Sequence, residues 1–152
     1  MIGVGNRHAG DDAAGLELIR MLRALPARTG VELRELEGDT VALLDAWAGA
    51  RAALVLDAAR SDAPPGTIHR AEVAGAPLPA RLCRGSSTHA VAVAEVIELA
   101  RALERLPARV IVYGVEGRSY AAGAPLSEAV AAVLDGLAER VAREAGELTR
   151  AA

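Results

Sequence analysis

The sequence predicts an α/β fold: a three-layer α/β/α sandwich around a twisted, mostly parallel sheet. Three observations carry this reading. Strand-like and helix-like segments alternate almost throughout the chain, the order that buries a parallel sheet between helices. Residues 52–56 (Ala-Ala-Leu-Val-Leu) and 109–115 are near-continuous apolar runs, as expected of strands covered on both faces. Residues 127–148 place Val130, Leu134, Leu137, Val141 and Leu148 on one helical face.

The elements follow in order. Residues 1–5 form a very short first strand. Residues 12–25 form a helix stopped by Pro26, whose ring disfavours a helical conformation in the residue before it. Residues 31–36 alternate apolar and polar, the period of a strand. A short helix over 40–48 follows the cap candidates Asp39 and Thr40. After the buried strand 52–56, Pro64, Pro65 and Gly66 force a loop over 61–66, and 67–73 returns as an edge strand. Residues 75–85 are irregular, with Pro77 and Pro79. A long helix over 88–106 follows the Ser86-Ser87-Thr88 cap run, then the strand 109–115 and the last helix 127–148. No repeat or low-complexity linker divides the 152 residues, so they are read as a single domain, 1–152.

Composition narrows the function classes. Just over half the residues are apolar (52%), which argues against disorder. Trp47, Tyr113 and Tyr120 are the only aromatics, so the core must be built from Ala, Val, Leu and Ile. The formal charge is −3, and the basic residues, all Arg, are scattered. A nucleic-acid groove needs a basic stripe, usually with stacking aromatics, so no nucleic-acid partner is expected. The single cysteine, Cys83, permits no internal disulfide and no cysteine-cluster zinc site. It fits a reducing compartment. No signal-like segment opens the sequence and no apolar run reaches the roughly 18 residues of a membrane helix, so a cytoplasmic protein without membrane contact is expected.

In open α/β sheets, ligands bind beyond the carboxyl ends of the strands. Three candidate side chains fall there. Asp12 opens the first helix, Asp57 ends the apolar run 52–56, and His89 opens the helix after Ser86-Ser87-Thr88. An aspartate in a first turn is often only a cap. That accounts for one of the adjacent pair Asp11 and Asp12, and less well for both. At a positive helix end His89 should stay neutral, able to bind a metal or a proton. Two carboxylates and an imidazole make a site suited to nickel, zinc, iron or manganese, with positions open for a substrate. A dinucleotide loop would need glycine where His8 stands after Gly3-Val4-Gly5. His8 is a loop histidine, and His69 alternates with apolar neighbours and is read as solvent-facing. Cys83 has no adjacent base. Ser86 and Ser87 lack a nucleophile elbow.

These residues together resemble the hydrogenase maturation protease family, over nearly the whole chain. The resemblance lies in Gly3-Val4-Gly5-Asn6 with Asp11, Asp12 and Gly15, and in Leu36-Glu37-Gly38-Asp39-Thr40. It continues in Leu54-Val55-Leu56-Asp57-Ala58, Pro64-Pro65-Gly66-Thr67, Ser86-Ser87-Thr88-His89 and Val112-Tyr113-Gly114-Val115-Glu116. The resemblance implies a phosphorylase/hydrolase-like fold. It also implies an endopeptidase that removes a short C-terminal extension from the large-subunit precursor of a nickel–iron hydrogenase once nickel is inserted. The nickel is then carried by the precursor, with no tightly bound resident cofactor, and Asp12, Asp57 and His89 are the catalytic and nickel-contacting set. The chain departs from the family in three places. Its first strand is short, Glu37-Gly38-Asp39-Thr40 replaces an Asp-Gly-Gly-Thr segment, and Ala90-Val91-Ala92 replaces a glycine-rich turn. Two alternatives share the architecture. Peptidyl-tRNA hydrolases also open with a strand into Gly-x-Gly-Asn but need a basic surface. A nickel- or precursor-binding chaperone that does not cleave would use the same three ligands.

Overall fold

Five strands run β1 (Ile2–Gly5), β2 (Arg34–Glu37), β3 (Ala52–Ala59), β4 (Ile68–Val73) and β5 (Arg109–Glu116). They form one sheet in the order β2-β1-β3-β5-β4. All neighbours are parallel except β4, which pairs antiparallel with β5 at the edge. Among the described residues, helices α1 (Ala14–Ala24), the single turn α2 (Leu43–Ala46), α3 (Val93–Ala102) and α4 (Glu128–Arg150) flank the sheet. The computed structural model describes residues 1–26, 29–37, 39–73, 77–79, 82 and 93–150.

Alternation along the strands builds two cores. Ala53, Val55, Val110 and Val112 face α2 and α3, meeting Leu43, Trp47, Val96 and Ile97. Leu54, Leu56, Ile111, Tyr113 and Val115 face α1 and α4, meeting Leu18, Ile19, Leu134 and Val141. The three-layer α/β/α reading therefore holds, and its physical basis is that β3 and β5 are apolar at consecutive positions. Each fully buried Leu, Ile or Val contributes roughly 1.5–3 kcal/mol, so this two-sided burial is the dominant stabilising term.

Several boundaries differ from the sequence reading. The helix expected over 12–25 is split. Gly10–Ala13 form a 3-10 turn and the α-helix begins at Ala14. Its other end is as expected: Leu25 is extended (φ −80°, ψ 158°) because Pro26 follows. The strand expected over 31–36 is four residues, set by pairing with the equally short β1. The helix expected over 40–48 is one turn. The helix expected over 88–106 ends at Ala102. There Glu104 takes a left-handed φ of 55°, and the Arg105 N–H closes back on the Ala100 carbonyl at 2.8 Å. Its expected start, with Ser86, Ser87, Thr88 and His89, lies outside the described residues, as does Cys83.

β1 is short at its amino end. Ile2 stands abreast of Val55, so Ala52, Ala53 and Leu54 extend beyond it, beside a cavity of about 400 Å³ also lined by Met1 and Trp47. This cavity is at the sheet edge opposite Asp12.

Candidate active site

Strand order places the site. The chain goes from β1 outward to β2, then crosses back to β3 on the other side of β1. The carboxyl ends of β1 and β3 therefore form a topological switch point, where the connections diverge and leave a crevice. Asp12 comes from the turn after β1, and Asp57 from β3 itself.

The backbone there is packed closely enough to require glycine twice. Gly5 has φ +148°, and a Cβ on it would lie 1.9 Å from the Asp12 carbonyl oxygen. A Cβ on Gly15 would lie 2.2 Å from the Leu56 oxygen and 2.4 Å from that of Val4. These glycines let the start of α1 rest directly on β1 and β3. The Asn6 N–H donates to the Asp12 carbonyl at 3.3 Å, closing the turn.

The adjacent aspartates divide the work. Asp11 is buried and structural. Its carboxylate accepts the main-chain N–H groups of Arg118 (2.6 Å), Ser119 (3.0 Å) and Ser127 (2.6 Å). Its own N–H donates to the Ser119 carbonyl at 2.8 Å. It thereby clamps the turn after β1 to the loop after β5. Burial pushes its pKa up, but the N–H groups of Ser127, Ser119 and Arg118 outweigh this and hold it below the ordinary value.

Asp12 is 3% exposed, and its Oδ1 has no hydrogen-bond partner among the described residues. Asp12 lies inside the 3-10 turn, while the N-cap positions of that turn and of α1 fall on Ala9 and Ala13. Burial raises its pKa to about 6, against the opposing pull of the Asn6 N–H and the Arg60 charge.

Asp57 does not end its strand. β3 continues to Ala59, and Asp57 pairs laterally with Gly114 of β5. It is half-buried, and its Oδ1 accepts the Ala58 N–H at 2.8 Å. Burial and the negative charge of Asp12 raise its pKa to about 7, against the Ala58 hydrogen bond. Each carboxyl is thus adapted to gain a proton or a cation, which would relieve both desolvation and mutual repulsion. Among the described residues no third His, Cys, Asp or Glu completes a metal-binding group with them. His89, the third expected member, lies outside those residues.

The remaining candidates fall as follows. His69 is not solvent-facing. It is 8% exposed, and its Nε2 lies 3.1 Å from Oε2 of the buried Glu116. Alternation along β4 was correctly legible, but the edge strand is covered on the face that His69 occupies. His8 is exposed in the turn after β1. Glu37 is held at the end of β2, accepting the Arg7 N–H at 3.1 Å, while the Arg7 guanidinium pairs with Glu35 at 2.7 Å. Sequence reasoning missed Asp11 as the clamp and Glu116 as a buried acceptor. The only signal for Asp11 was that a cap explains one aspartate and two are present.

The two raised carboxyls have a sign in pH. Their folded pKa values, about 6 and about 7, lie above the ordinary 3.8, so the folded state holds protons the unfolded chain releases. Their contribution is fully present below about pH 4 and lost as pH rises through 6 and 7. Urea denaturation of wild type and Asp12→Asn from pH 4 to 8 should therefore show the variant gaining relative stability with pH, on the order of 2 kcal/mol across the window. A pH-independent difference would contradict the assigned environment.

A mostly parallel sheet with an acidic pair at its switch point defines the class: a small α/β protein whose chemistry-bearing side chains gather beyond the strand ends. Comparison with known proteins narrows the class. The family model for hydrogenase maturation protease (HycI) matches residues 32–144, about three quarters of the chain. The fold matches the hydrogenase maturating endopeptidase HybD from E. coli at TM-score 0.74 and 26% identity, covering 95% of this chain and 91% of that one. It matches the hydrogenase 2 maturation peptidase of a Thaumarchaeota archaeon at TM-score 0.69 and 26% identity, covering 95% and 96%. A further Escherichia coli endopeptidase matches at TM-score 0.78 and 25% identity, covering 95% and 91%. No curated protein sequence matches the chain. The chain belongs to the hydrogenase maturation protease family, and is by that membership a peptide hydrolase. Such proteases act on hydrogenase large-subunit precursors. Among the described residues no helix is long and apolar enough to cross a membrane.

Proposed function

We propose that this chain is an endopeptidase that removes the C-terminal extension of a nickel–iron hydrogenase large-subunit precursor after recognising its inserted nickel. The observation that carries the reading is the orphaned, buried Asp12 Oδ1 beside the charge of Asp57. A buried carboxylate oxygen without a donor is costly unless a cation or proton completes it. A cation shared by two carboxylates satisfies both at once. Family membership supplies the class of substrate.

The nickel is cargo of the precursor, and no tightly bound resident cofactor is proposed. Before the precursor binds, burial and the repulsion between Asp12 and Asp57 favour the protonated form of these carboxyls. When the nickel enters, both carboxylates ionise and ligate it, with the His89 imidazole as the third contact. Oxygen and nitrogen donors of this borderline character suit nickel. The peptide bond following the metal-bearing segment is then held at a fixed place, and water cleaves it. Positioning supplies the specificity, and polarisation by the cation is the physical route to a lower barrier. The reaction would take place in the cytoplasm.

Incubation of the protein with nickel-loaded and nickel-free precursor, followed by intact mass measurement, tests this directly. Loss of a C-terminal peptide from the loaded form alone is expected. Tight binding of the loaded precursor without a mass change would make the chain a binder rather than a protease. Equal cleavage of both forms would remove nickel from the recognition step.

A further inference from the structure

We propose that Arg60 is a substrate-binding residue whose guanidinium takes a main-chain carbonyl oxygen of the precursor beside the bond to be cut. This rests on the protease reading above and adds to it a contact outside the carboxylate–histidine set. Arg60 directly follows β3, three residues beyond Asp57, and its charge acts on Asp12. It makes no ion pair among the described residues, although a carboxylate lies within its electrostatic reach. Instead its guanidinium stacks over the Tyr120 ring, 4.2 Å from the centroid. Stacking of a planar guanidinium uses its face and leaves its N–H edges able to donate.

The segment bearing Arg60 is anchored on both sides. The Tyr120 hydroxyl donates to the Ala59 carbonyl at 2.5 Å and accepts the Gly117 N–H at 3.1 Å. On the other side, the Glu116 carboxylate accepts the Ser61 N–H at 2.6 Å and the Ser61 hydroxyl at 2.8 Å, and lies 3.1 Å from His69 Nε2. Glu116 is 2% exposed, so these bonds act in a low dielectric and hold the turn firmly. Glu116, His69 and Tyr120 are thus positioning residues for an exposed guanidinium within electrostatic reach of Asp12. An anionic substrate group would be repelled by Asp12 and Asp57. A neutral carbonyl dipole meets no such repulsion, which is why a main-chain oxygen is the acceptor assigned.

The test is steady-state cleavage of the nickel-loaded precursor by the full chain, beside equilibrium binding of that precursor. Arg60→Gln is expected to raise both KM and Kd at least tenfold with kcat changed less than threefold. Arg60→Lys, which keeps a donor and the charge, should recover most of that loss. Tyr120→Leu should raise KM with Arg60 present and add little when Arg60 is already Gln. KM and Kd within twofold of wild type for Arg60→Gln would overturn the proposal and leave the protease reading intact. Equal losses for Lys and Gln would also overturn it, because stacking rather than donation would then be what matters. If the wild type binds the precursor without cleaving it, the protease reading fails, while Kd still decides the role of Arg60.

Discussion

Asp57→Asn is expected to lower cleavage of the nickel-loaded precursor by roughly 10³-fold or more while the fold survives. Asparagine is nearly isosteric and keeps an oxygen to accept the Ala58 N–H, so β3 loses neither its pairing with β5 nor its packing. What disappears is the negative charge that the incoming cation needs. The same substitution removes a repulsion with Asp12 in the resting protein. Above pH 7 the inactive variant should therefore be at least as stable as wild type, a combination that simple misfolding cannot produce. His89→Ala should likewise abolish processing. The measurement is precursor mass against time, with thermal unfolding of each variant at pH 8. Retention of more than about a tenth of wild-type cleavage by Asp57→Asn would withdraw the residue from the reaction.

Asp11→Ala should give the largest loss of stability, on the order of 3–5 kcal/mol. One carboxylate satisfies the N–H groups of Arg118, Ser119 and Ser127, and alanine would strand all three in a part-buried loop. For a chain of this length that corresponds to a fall in Tm on the order of 10 °C. Asp11→Asn has one acceptor oxygen where the carboxylate has two, and should lose an intermediate amount. The pH dependence runs opposite to that of its neighbour. The pKa of Asp11 is held below 3.8, so its stabilisation is present above that value and is lost as pH falls through the folded pKa. Urea titration of the three proteins at pH 7 checks the order. A loss below about 1 kcal/mol for alanine would mean that the loop after β5 is held by something else. Activity should fall with stability, because Asp12 sits on the turn that Asp11 clamps.

The fold class was readable from the chain because burial on both faces leaves a linear trace. Consecutive apolar residues in β3 and β5, and a 3.6-residue apolar period in α4, survive in any listing of the residues. The helix stop at Leu25 was readable for an equally local reason, the ring of Pro26. Strand polarity put Asp12 after the first strand and Asp57 late in the third, and the sheet order β2-β1-β3-β5-β4 then set those two strands side by side.

Other features depend on partners that are remote in sequence. The Glu116–Ser61 bond spans 55 residues and the Asp11–Ser127 bond 116, and no local pattern encodes either. The same holds for His69, whose alternating neighbours suggested an open face until Glu116 closed it. Composition and the alternation of elements were sufficient to predict the parallel sheet, and the order of its strands set the two carboxylate-bearing segments side by side. Which of two adjacent aspartates turns into the protein and which keeps an unpartnered oxygen in the crevice was set by the fold. Three main-chain N–H groups of a distant loop converge on Asp11 and none of them reaches Asp12.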